Sequence, residues 1–433
     1  MTSGAQRWAR RLYSAALYLL APLIWQRVWR EQVPTRSRRE RLGLIPADPA
    51  QERRIWLHCA SVGEVLAARP LIVALHERYP HHHLVITTMT ATGAERVAAI
   101  ARELTATASG GKVSHHFVPL DFPGAARRFL ARLRPELALL FETELWPNLI
   151  AGCSRAGVPV AVVNGRLSSR AFRRYWRIRP LLADALARVD WLAAKSRTDA
   201  GRFRRLGMPA ARTTVVGSLK FDLEVSAQQL AASQQLCQAL GPRPVWIAGS
   251  THPGEETILL EVQSRLRQHY PTALLILVPR HPQRFGEVAK QCGDRGLPLA
   301  RRSLGEWPEA CTAVYLGDTM GELLTLYGAA DLAFVGGSLV PVGGHNLLEP
   351  AAMGVPVLSG PALANFSDIA DELRQARALV EVANGEALSE VLLRLFDDEP
   401  ERHRLAEAGQ AVVAANRGAL TRTMEGLEAI LRE

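Results

Sequence analysis

The chain has 433 residues, of which 48% are hydrophobic and 22% are charged. This composition excludes a disordered protein, and the length exceeds what one ordinary core fills, so two globular domains are expected. The five cysteines are scattered and never stand in Cys-x-x-Cys spacing, which excludes a disulfide framework and a cysteine zinc site.

The net charge of +10 is carried mainly by arginine and is concentrated in the N-terminal segment, residues 1–50. Residues 1–41 hold nine arginines against two glutamates, and an uncharged apolar stretch, Leu12–Trp25, lies between them. As a helix this stretch is roughly 21 Å long, shorter than a hydrocarbon core of ~30 Å. We predict an apolar anchor helix in the interface of an anionic membrane. A cleaved signal peptide and a buried N-terminal helix are the alternatives.

Residues 51–225 alternate short apolar runs with amphipathic stretches, a pattern typical of a parallel sheet with crossover helices. Strands are predicted at Ile55–Cys59, Leu84–Thr88, His116–Leu120, Leu137–Phe141, Val158–Val163, Trp191–Ala194 and Thr213–Val216. Helices are predicted at Val65–Arg78, Thr92–Leu104, Pro123–Leu133, Trp146–Ala156 and Ser168–Ala187. We interpret this half as one Rossmann-like domain.

Residues 226–433 repeat the pattern after a break that ends in Gly241–Pro244. Strands are predicted at Val245–Ala248, Ala273–Val278, Val314–Leu316, Leu332–Val335 and Val355–Leu358, and the chain is predicted helical from Pro400 to its end. The predicted fold class is therefore α/β, with two tandem Rossmann-like domains, a ligand cleft between them and the N-terminal helix in addition.

The sequence lacks the motifs of several common classes of nucleotide-binding enzymes. It contains no Gly-x-x-x-x-Gly-Lys-Ser/Thr loop, and no Gly-x-Gly-x-x-Gly follows the first predicted strand, which argues against P-loop phosphotransferases and NAD-type dehydrogenases. No Asp-x-Asp pair follows a predicted strand to hold a divalent ion. We expect neither a metal ion nor a cofactor, so backbone N–H groups and cations must neutralise any bound phosphate.

In the first half, carboxylates follow two predicted strands. Glu64 lies in the turn Ser61-Val62-Gly63-Glu64, and Glu142 and Glu144 follow Leu137–Phe141. Charges at the open edge of a buried strand are costly unless they serve a partner, although a first-turn glutamate can simply compensate a helix dipole. Lys220, one of four lysines, lies near the boundary between the halves, where a cation could face a leaving phosphate.

In the second half, polar groups follow three predicted strands and are candidates for binding a nucleotide. A helix N-terminus after a glycine-rich turn presents free N–H groups to a phosphate, and a first-turn carboxylate can accept ribose hydroxyls. For single residues, a surface ion pair or an ordinary first-turn acid is an equally good interpretation. The candidates are Arg280, His281, Gly317, Asp318, Thr319, Gly343, Gly344, His345, Asn346 and Glu349.

Four arginines share one face of a predicted helix at i, i+3, i+4 and i+7 spacing, beside a stripe formed by Phe172 and Trp176. A solvated basic face over a core stripe explains this pattern. The functional interpretation is a surface for an anionic and partly apolar acceptor, such as a phosphorylated lipid. The four residues are Arg170, Arg173, Arg174 and Arg177.

Five motifs together resemble the 3-deoxy-D-manno-octulosonic acid (Kdo) transferases of lipopolysaccharide biosynthesis, from the N-terminal apolar segment to about Asp371. They are Ser61–Glu64, Glu142–Asn148, Asn164–Ser168, Pro279–Pro282 and Gly343–Pro350. The resemblance implies a GT-B fold in which residues 51–225 bind the acceptor and residues 226–433 bind the CMP-sugar. It implies metal-independent transfer of Kdo, with inversion, from CMP-Kdo to a lipid A precursor (lipid IVA) at the cytoplasmic face of the inner membrane.

By the same resemblance, Glu64 is the general base, Glu142 and Lys220 stabilise the transition state, and the candidates of the second half hold CMP. The first alternative is another GT-B enzyme, a transferase or epimerase, that acts on a UDP-sugar. The second is a basic nucleic-acid-binding protein, which the clustering of charge near an apolar helix disfavours.

Overall fold

A computed structural model describes residues 4–30, 36–46, 52–106, 111–222 and 225–432. The chain forms two compact units. The first unit comprises Met1–Asp222 together with Gly418–Glu433, and the second comprises Leu223–Arg417.

The first unit is built on a seven-stranded parallel sheet with the order β3-β2-β1-β4-β5-β6-β7. Its strands are β1 (Arg53–His58), β2 (His82–Thr88), β3 (Val113–Phe117), β4 (Leu137–Phe141), β5 (Val160–Gly165), β6 (Trp191–Ala194) and β7 (Thr213–Val215). The strand order reverses between β1 and β4, and such a switch point is where open α/β sheets bind ligands at the carboxyl ends of their strands.

The central strands are buried on both faces because helices cover each side of the sheet. In β1, Trp56 packs in one hydrophobic cluster, whereas Ile55 and Leu57 pack in the cluster on the opposite face. In β4, Leu139 and Leu140 divide between the same two clusters. Successive side chains of a strand point to opposite faces, so a doubly covered strand reads as a continuous apolar run. This is why the sequence predicted these strands.

The helices of this part of the chain are α1 (Gly4–Leu19), α2 (Ala21–Arg30), α3 (Arg36–Glu40), α4 (Val62–Arg78), α5 (Ala91–Ala106), α6 (Pro123–Leu133), α7 (Pro147–Ala156), α8 (Ser169–Trp176), α9 (Arg179–Leu186) and α10 (Arg197–Leu206). Short 3₁₀ turns lie at Ala210–Arg212 and Leu219–Phe221. The single helix predicted at Ser168–Ala187 was wrong. It is two helices, because Pro180 occupies the first turn of α9 and proline favours a helix start over a helix interior.

The predicted boundary at residue 50 separated the N-terminal segment from the first domain. In the structure, this segment belongs to the first unit. Helix α1 packs on α9 and α7, and Arg10 forms an ion pair with Asp184 of α9 at 3.0 Å. Within the described residues, no helix is both long enough and apolar enough to cross a membrane.

The second unit repeats the architecture with a seven-stranded parallel sheet in the order β10-β11-β9-β8-β12-β13-β14. The strands are β8 (Val245–Thr251), β9 (Leu274–Pro279), β10 (Leu299–Arg301), β11 (Val314–Leu316), β12 (Leu332–Val335), β13 (Val357–Ser359) and β14 (Leu379–Glu381). Its switch point lies between β8 and β12. The edge strands β10 and β14 were absent from the sequence prediction.

The helices of the second unit are α11 (Ala227–Leu240), α12 (Glu255–His269), α13 (Phe285–Asp294), α14 (Leu323–Tyr327), α15 (Leu348–Ala352), α16 (Ser367–Gln375), α17 (Gly385–Asp397) and α18 (Glu399–Asn416). Three 3₁₀ turns lie at Pro282–Arg284, Arg302–Leu304 and Ala364–Phe366.

The last helix, α19 (Ala419–Arg432), belongs to the first unit, so the domain predicted at 226–433 extends too far. Gly418 breaks the helical run with a φ of +81°, which favours glycine. The Asp222 carboxylate then accepts the backbone N–H of Gly418 at 2.7 Å and that of Leu420. Because Asp222 ends the first stretch of this unit, these bonds join its two chain segments.

Candidate active site

Glu64 lies at the switch point of the first sheet, in the first turn of α4. Ser61 caps this helix and accepts the backbone N–H of Glu64 at 3.4 Å. The Glu64 carboxylate in turn accepts the backbone N–H of Ala60 at 2.8 Å and the Ser61 hydroxyl at 3.3 Å. These bonds hold the half-buried carboxylate at the carboxyl end of β1.

The pKa of Glu64 is raised to about 7. Burial is the largest cause, and the charges of Glu144 and Glu142 raise the pKa further, against the hydrogen bonds from Ala60 and Ser61. The same three carboxylates raise the pKa of the fully buried Cys59 thiol, after burial itself. Three carboxylates therefore share one side of the switch point, and the pKa of Glu64 suits a general base near neutral pH.

Glu142 and Glu144 are held by a tightly bonded loop after β4. Glu142 has a φ of +59°, a conformation that costs a non-glycine residue free energy and that concentrates at functional sites. The Thr143 hydroxyl donates to the Arg166 carbonyl, and the Trp146 indole donates to Glu144 Oε2 at 2.9 Å. The loop therefore holds the Glu144 carboxylate, and both carboxylates lie near enough to Glu64 to raise its pKa.

Lys220 lies in the 3₁₀ turn Leu219–Phe221, which packs against α4, the helix that begins with Glu64. The turn is held by Asn164, whose Oδ1 accepts the backbone N–H of Leu219 at 3.3 Å. The Asn164 backbone is left-handed, with a φ of +53°. The structure thus brings the segment of the predicted lysine to the helix of the predicted base.

The four arginines of the basic helix α8 are all exposed. Phe172 and Tyr175 of the same helix pack on the core, while Trp176 remains 47% exposed and lies 5.0 Å beneath the Arg179 guanidinium. None of the four arginines forms an ion pair within the described part of the chain. The arginines, listed in chain order, are Arg170, Arg173, Arg174 and, at the C-cap, Arg177. The helix therefore offers unneutralised cations beside an exposed aromatic ring.

The switch point of the second sheet is organised by a fully buried carboxylate, Glu255, at the start of α12. It accepts the backbone N–H groups of Gly337 at 2.6 Å, Ser338 at 3.0 Å and Leu339 at 2.9 Å, all in the loop after β12. It also accepts the N–H of His252, after β8, at 3.0 Å. One side chain thus fixes the loops on both sides of the switch point.

Three imidazoles meet at these loops. His252 and His345 lie with their Nε2 atoms 2.8 Å apart and their rings nearly coplanar, and His281 contacts His252 edge-on at 5.2 Å between ring centroids. Burial lowers the pKa of His345 to about 4, with His252 and Arg280 as further causes. His345 is therefore neutral at pH 7, and a bound anion would favour its protonated form.

The loop of Gly343–Asn346 is shaped by left-handed glycines. Gly343 and Gly344 have φ angles of +104° and +76°, and a Cβ on Gly344 would lie 2.7 Å from the Leu363 side chain. Asn346 Nδ2 donates to Glu349 Oε1 at 3.2 Å. Burial raises the pKa of Glu349, and the charge of Arg280 opposes that shift. Arg280 and Glu349 therefore lie close enough to interact electrostatically.

Arg280 follows β9 and is exposed. Its backbone N–H donates to the Thr251 carbonyl at 3.0 Å, which aligns the ends of β9 and β8. The next arginine along the chain, Arg284, forms an ion pair with buried Glu256 at 2.5 Å and so has a structural partner. Arg280 is thus the guanidinium available to a ligand at this edge.

The three predicted residues Gly317–Thr319 have different roles in the structure. Asp318 accepts hydrogen bonds from Arg301 Nε at 2.9 Å, the Ser303 backbone at 2.8 Å and the Ser303 hydroxyl at 2.6 Å. Its carboxylate thus holds the turn after β10. Gly317 and Thr319 follow β11 at its carboxyl end.

The sequence interpretation missed His252 and Glu255. Both lie in Thr251-His252-Pro253-Gly254-Glu255, which follows β8 just as Ser61–Glu64 follows β1. The repeated order of strand, glycine turn and first-turn glutamate was the signal that could have found them.

The comparisons with known proteins agree with this geometry. Residues 36–223 match the family described as 3-deoxy-D-manno-octulosonic-acid transferase (kdotransferase), and residues 309–412 match glycosyl transferases group 1. A 3-deoxy-D-manno-octulosonic acid transferase of Haemophilus influenzae is 38% identical over 98% of this chain and 99% of its own length.

Two solved structures are also similar. The C-terminal CMP-Kdo binding domain of WaaA from Acinetobacter baumannii is 35% identical over 43% of this chain and 99% of that domain, with a TM-score of 0.42. The UDP-GlcNAc 2-epimerase of Neisseria meningitidis is 13% identical over 87% of this chain and all of that chain, with a TM-score of 0.53, and it shares the fold alone.

The two Rossmann-like sheets give the protein a GT-B-like fold, as the sequence predicted. The Haemophilus influenzae relative aligns with this chain over almost the entire length of both. The protein belongs to the 3-deoxy-D-manno-octulosonic acid (Kdo) transferases and is a glycosyltransferase.

Proposed function

We propose that this protein transfers Kdo from CMP-Kdo to a hydroxyl of the lipid A precursor lipid IVA in lipopolysaccharide biosynthesis, with inversion. The observation that carries the mechanism is the position of Glu64, a half-buried carboxylate with a pKa near 7 at the switch point of the first sheet. Kdo transfer follows from membership of the family. CMP-Kdo as donor and lipid IVA as acceptor are inferred from the resemblance in the sequence.

In the proposed step, the acceptor oxygen attacks the anomeric carbon of Kdo while the bond from that carbon to the phosphate oxygen breaks. The electron pair of that bond leaves with CMP, and the hydroxyl proton passes to the Glu64 carboxylate. Attack opposite the leaving group inverts the anomeric centre. Glu142 faces the positive charge that develops on the sugar, and Lys220 offers a cation to the departing phosphate.

The second unit is the proposed donor site. Arg280 offers positive charge to the phosphate, and His281 and His345 offer their imidazole rings as hydrogen-bond partners. The backbone of Gly343–Asn346 and of Gly317–Thr319 offers N–H groups. Glu349, held by Asn346, is the proposed acceptor for the ribose hydroxyls. Asp318 supports this site by holding its neighbouring turn.

The basic helix α8 is the proposed acceptor surface. Its exposed arginines carry no ion pair within the described residues, and the exposed ring of Trp176 lies beside them. Guanidinium groups bind phosphates in a bidentate manner, and an aromatic ring tolerates an acyl chain. Reversing the charge of Arg173 and Arg174 should raise the KM for the acceptor strongly and the KM for the donor little.

The N-terminal helices are the proposed membrane contact, at the cytoplasmic face of the inner membrane. Their exposed side is apolar and carries arginines at its margin, where Arg11 lies over the Trp8 ring. A helix of this kind lies in the interface plane of an anionic membrane. The residues of this outer face are Trp8, Leu12, Leu19, Leu20 and Leu23, which are 49–83% exposed.

Two measurements test the proposed activity. Incubation with CMP-Kdo and tetra-acylated lipid A precursor should yield an acceptor heavier by Kdo residues in the mass spectrum. Titration with CMP and with UDP should show tighter binding of CMP. Preference for UDP, or no added mass on the acceptor, would contradict the proposal and favour a UDP-sugar enzyme.

The membrane contact is tested by flotation with anionic vesicles of phosphatidylglycerol and phosphatidylethanolamine. Leu12→Glu with Leu19→Glu should leave the vesicle fraction, because each change places a charge on the outer face. The matched control is Leu304→Glu, a 62% exposed leucine of the second unit, which should float as the wild type does. Equal flotation of both variants would contradict the contact.

A further inference from the structure

Helix α1 is amphipathic in an unusual sense, because the side that faces the protein is polar. Arg10, Tyr13 and Ser14 lie at i, i+3 and i+4 and share one face. Arg10 pairs with Asp184 at 3.0 Å. The Ser14 hydroxyl lies 3.0 Å from Asn148 Oδ1 and 2.9 Å from the Arg10 carbonyl, and it can donate to either acceptor. These polar contacts dock α1 on the first unit.

The third polar contact of this face joins Tyr13 to Asp121, whose charge raises the pKa of the Tyr13 hydroxyl, after burial itself. Asp121 is 4% exposed. The same carboxylate accepts the backbone N–H groups of Asn148 at 3.1 Å and Leu149 at 2.8 Å. Asp121 is therefore a cap, supplied from elsewhere in the chain, for the first turn of α7.

Asn148 completes the connection on the other side. Its Nδ2 donates to the Asp121 backbone carbonyl at 2.8 Å, and its Oδ1 receives Ser14. Tyr13 and Ser14 thus hold the two side chains that fix where α7 begins. Removing the Ser14 hydroxyl takes away the donor to Asn148 Oδ1, which belongs to a fully buried side chain, and an unpaired buried acceptor costs more than a surface bond. Removing the Tyr13 hydroxyl takes a polar neighbour from Asp121, which keeps its two backbone N–H donors.

Helix α7 begins directly after the loop that carries the candidate carboxylates. Its N-cap residue, Trp146, is also the residue whose indole holds Glu144. Only Leu145, Trp146 and Pro147 separate Glu144 from Asn148, the residue of α7 that α1 contacts. A shift of the first turn of α7 would therefore move the loop.

We propose that Tyr13 and Ser14 of α1 are positioning residues for Kdo transfer, because they fix the start of α7 and through it the loop of Glu142 and Glu144. The proposal rests on the role proposed above for that loop. Since the outer face of the same helix is the proposed membrane contact, α1 combines two functions: its apolar side meets the bilayer and its polar side sets the carboxylate loop.

The test compares a double variant, Tyr13→Phe with Ser14→Ala, against the control Tyr18→Phe. Tyr18 lies on the same helix and is 57% exposed. Its ring contacts Phe122, and its hydroxyl has no hydrogen-bond partner within the part of the chain that the structure describes. Losing the Ser14 hydrogen bond together with the polar contact between Tyr13 and Asp121 corresponds to roughly a tenfold change. The double variant should therefore show a kcat about tenfold lower, with both KM values and vesicle flotation within twofold of wild type.

A double variant that is folded by circular dichroism and has a kcat within twofold of Tyr18→Phe would overturn the proposal. So would a loss of kcat matched by an equal loss of flotation, because α1 would then act only as an anchor. Glu142→Gln is measured alongside. If Glu142→Gln is fully active, the loop has no role in transfer and the proposed function of Glu142 fails. If Glu142→Gln is inactive while the double variant is fully active, only the positioning role of Tyr13 and Ser14 fails.

Discussion

In the first unit three carboxylates gather at the switch point, whereas in the second unit three imidazoles and a guanidinium gather at the corresponding place. Both sheets are parallel and seven-stranded, both reverse their strand order beside their first strand, and each has a glutamate in the first turn of the helix after that strand. The two glutamates differ in their partners. Glu64 receives a single backbone N–H through its side chain, whereas Glu255 receives four.

This difference shows how one architecture yields two functions. Glu255 is fully buried and accepts four backbone N–H groups, so it serves as a fixed hydrogen-bond acceptor that shapes the loops around it. Glu64 keeps part of its surface and has a raised pKa, so it can exchange a proton. We infer that the first unit supplies the base of the reaction and the second unit supplies the binding of an anionic leaving group.

The largest expected effect is that of Glu64→Gln. The amide keeps the size of the side chain but cannot take a proton, so kcat should fall by about 10²–10⁴. CMP binding, measured by calorimetry, should stay within twofold. The matched control is Glu77→Gln, a change at the other end of the same helix. A Glu64→Gln variant with kcat within a few-fold of wild type would make Glu142 the candidate base.

A smaller effect is expected at the cation of the second unit. Arg280→Met removes a charged donor, and a hydrogen bond to a charged group is worth about 1.5–3 kcal/mol, so the CMP dissociation constant should rise roughly 10- to 100-fold. Lys290→Met removes a charge from the exposed side of α13 and should change it less than twofold. Equal effects of the two variants would mean that general electrostatics, not contact, governs binding.

The smallest expected effect concerns the histidine pair. The pKa of His345 is about 4 in the free protein, and a bound phosphate should raise it, so binding takes up a proton and strengthens as pH falls. His345→Gln should flatten this dependence between pH 8 and pH 5.5, while His403→Gln, on exposed α18, should keep it. The titration of CMP itself is common to all three proteins. Identical slopes would exclude His345 from the phosphate site.

The sequence predicted the buried central strands well and the edge strands of the second sheet poorly, for a physical reason. In the first sheet it predicted edge strand β7 closely and placed edge strand β3 at His116–Leu120 rather than at Val113–Phe117. Central strands such as β4 and β9 are covered on both faces and read as continuous apolar runs. The edge strands β10 and β14 have three residues each and are partly exposed, so their sequences carry little hydrophobic signal. The return of α19 to the first unit depends on Asp222 and Gly418, which lie far apart in the chain.

The candidate site shows the same limit. Glu142 and Arg280 directly follow strands, and Glu64 lies in the first helical turn after one, so their positions could be predicted from local pattern. The partners that set their properties could not. The pKa of Glu64 depends on Glu142 and Glu144 across a neighbouring strand, and the pairing of His252 with His345 joins loops 93 positions apart. Both follow from which strands are neighbours in the sheet.

The most direct test of the division between the units is the pH dependence of kcat for wild type and His345→Gln, at saturating CMP-Kdo and acceptor. If Glu64 must be ionised, kcat rises with pH to a plateau through an apparent pKa near 7. The limb should lie at the same pH in His345→Gln, because that histidine belongs to the donor site. A wild-type profile without this limb, or a limb displaced by His345→Gln, would contradict the assignment of the base to the first unit.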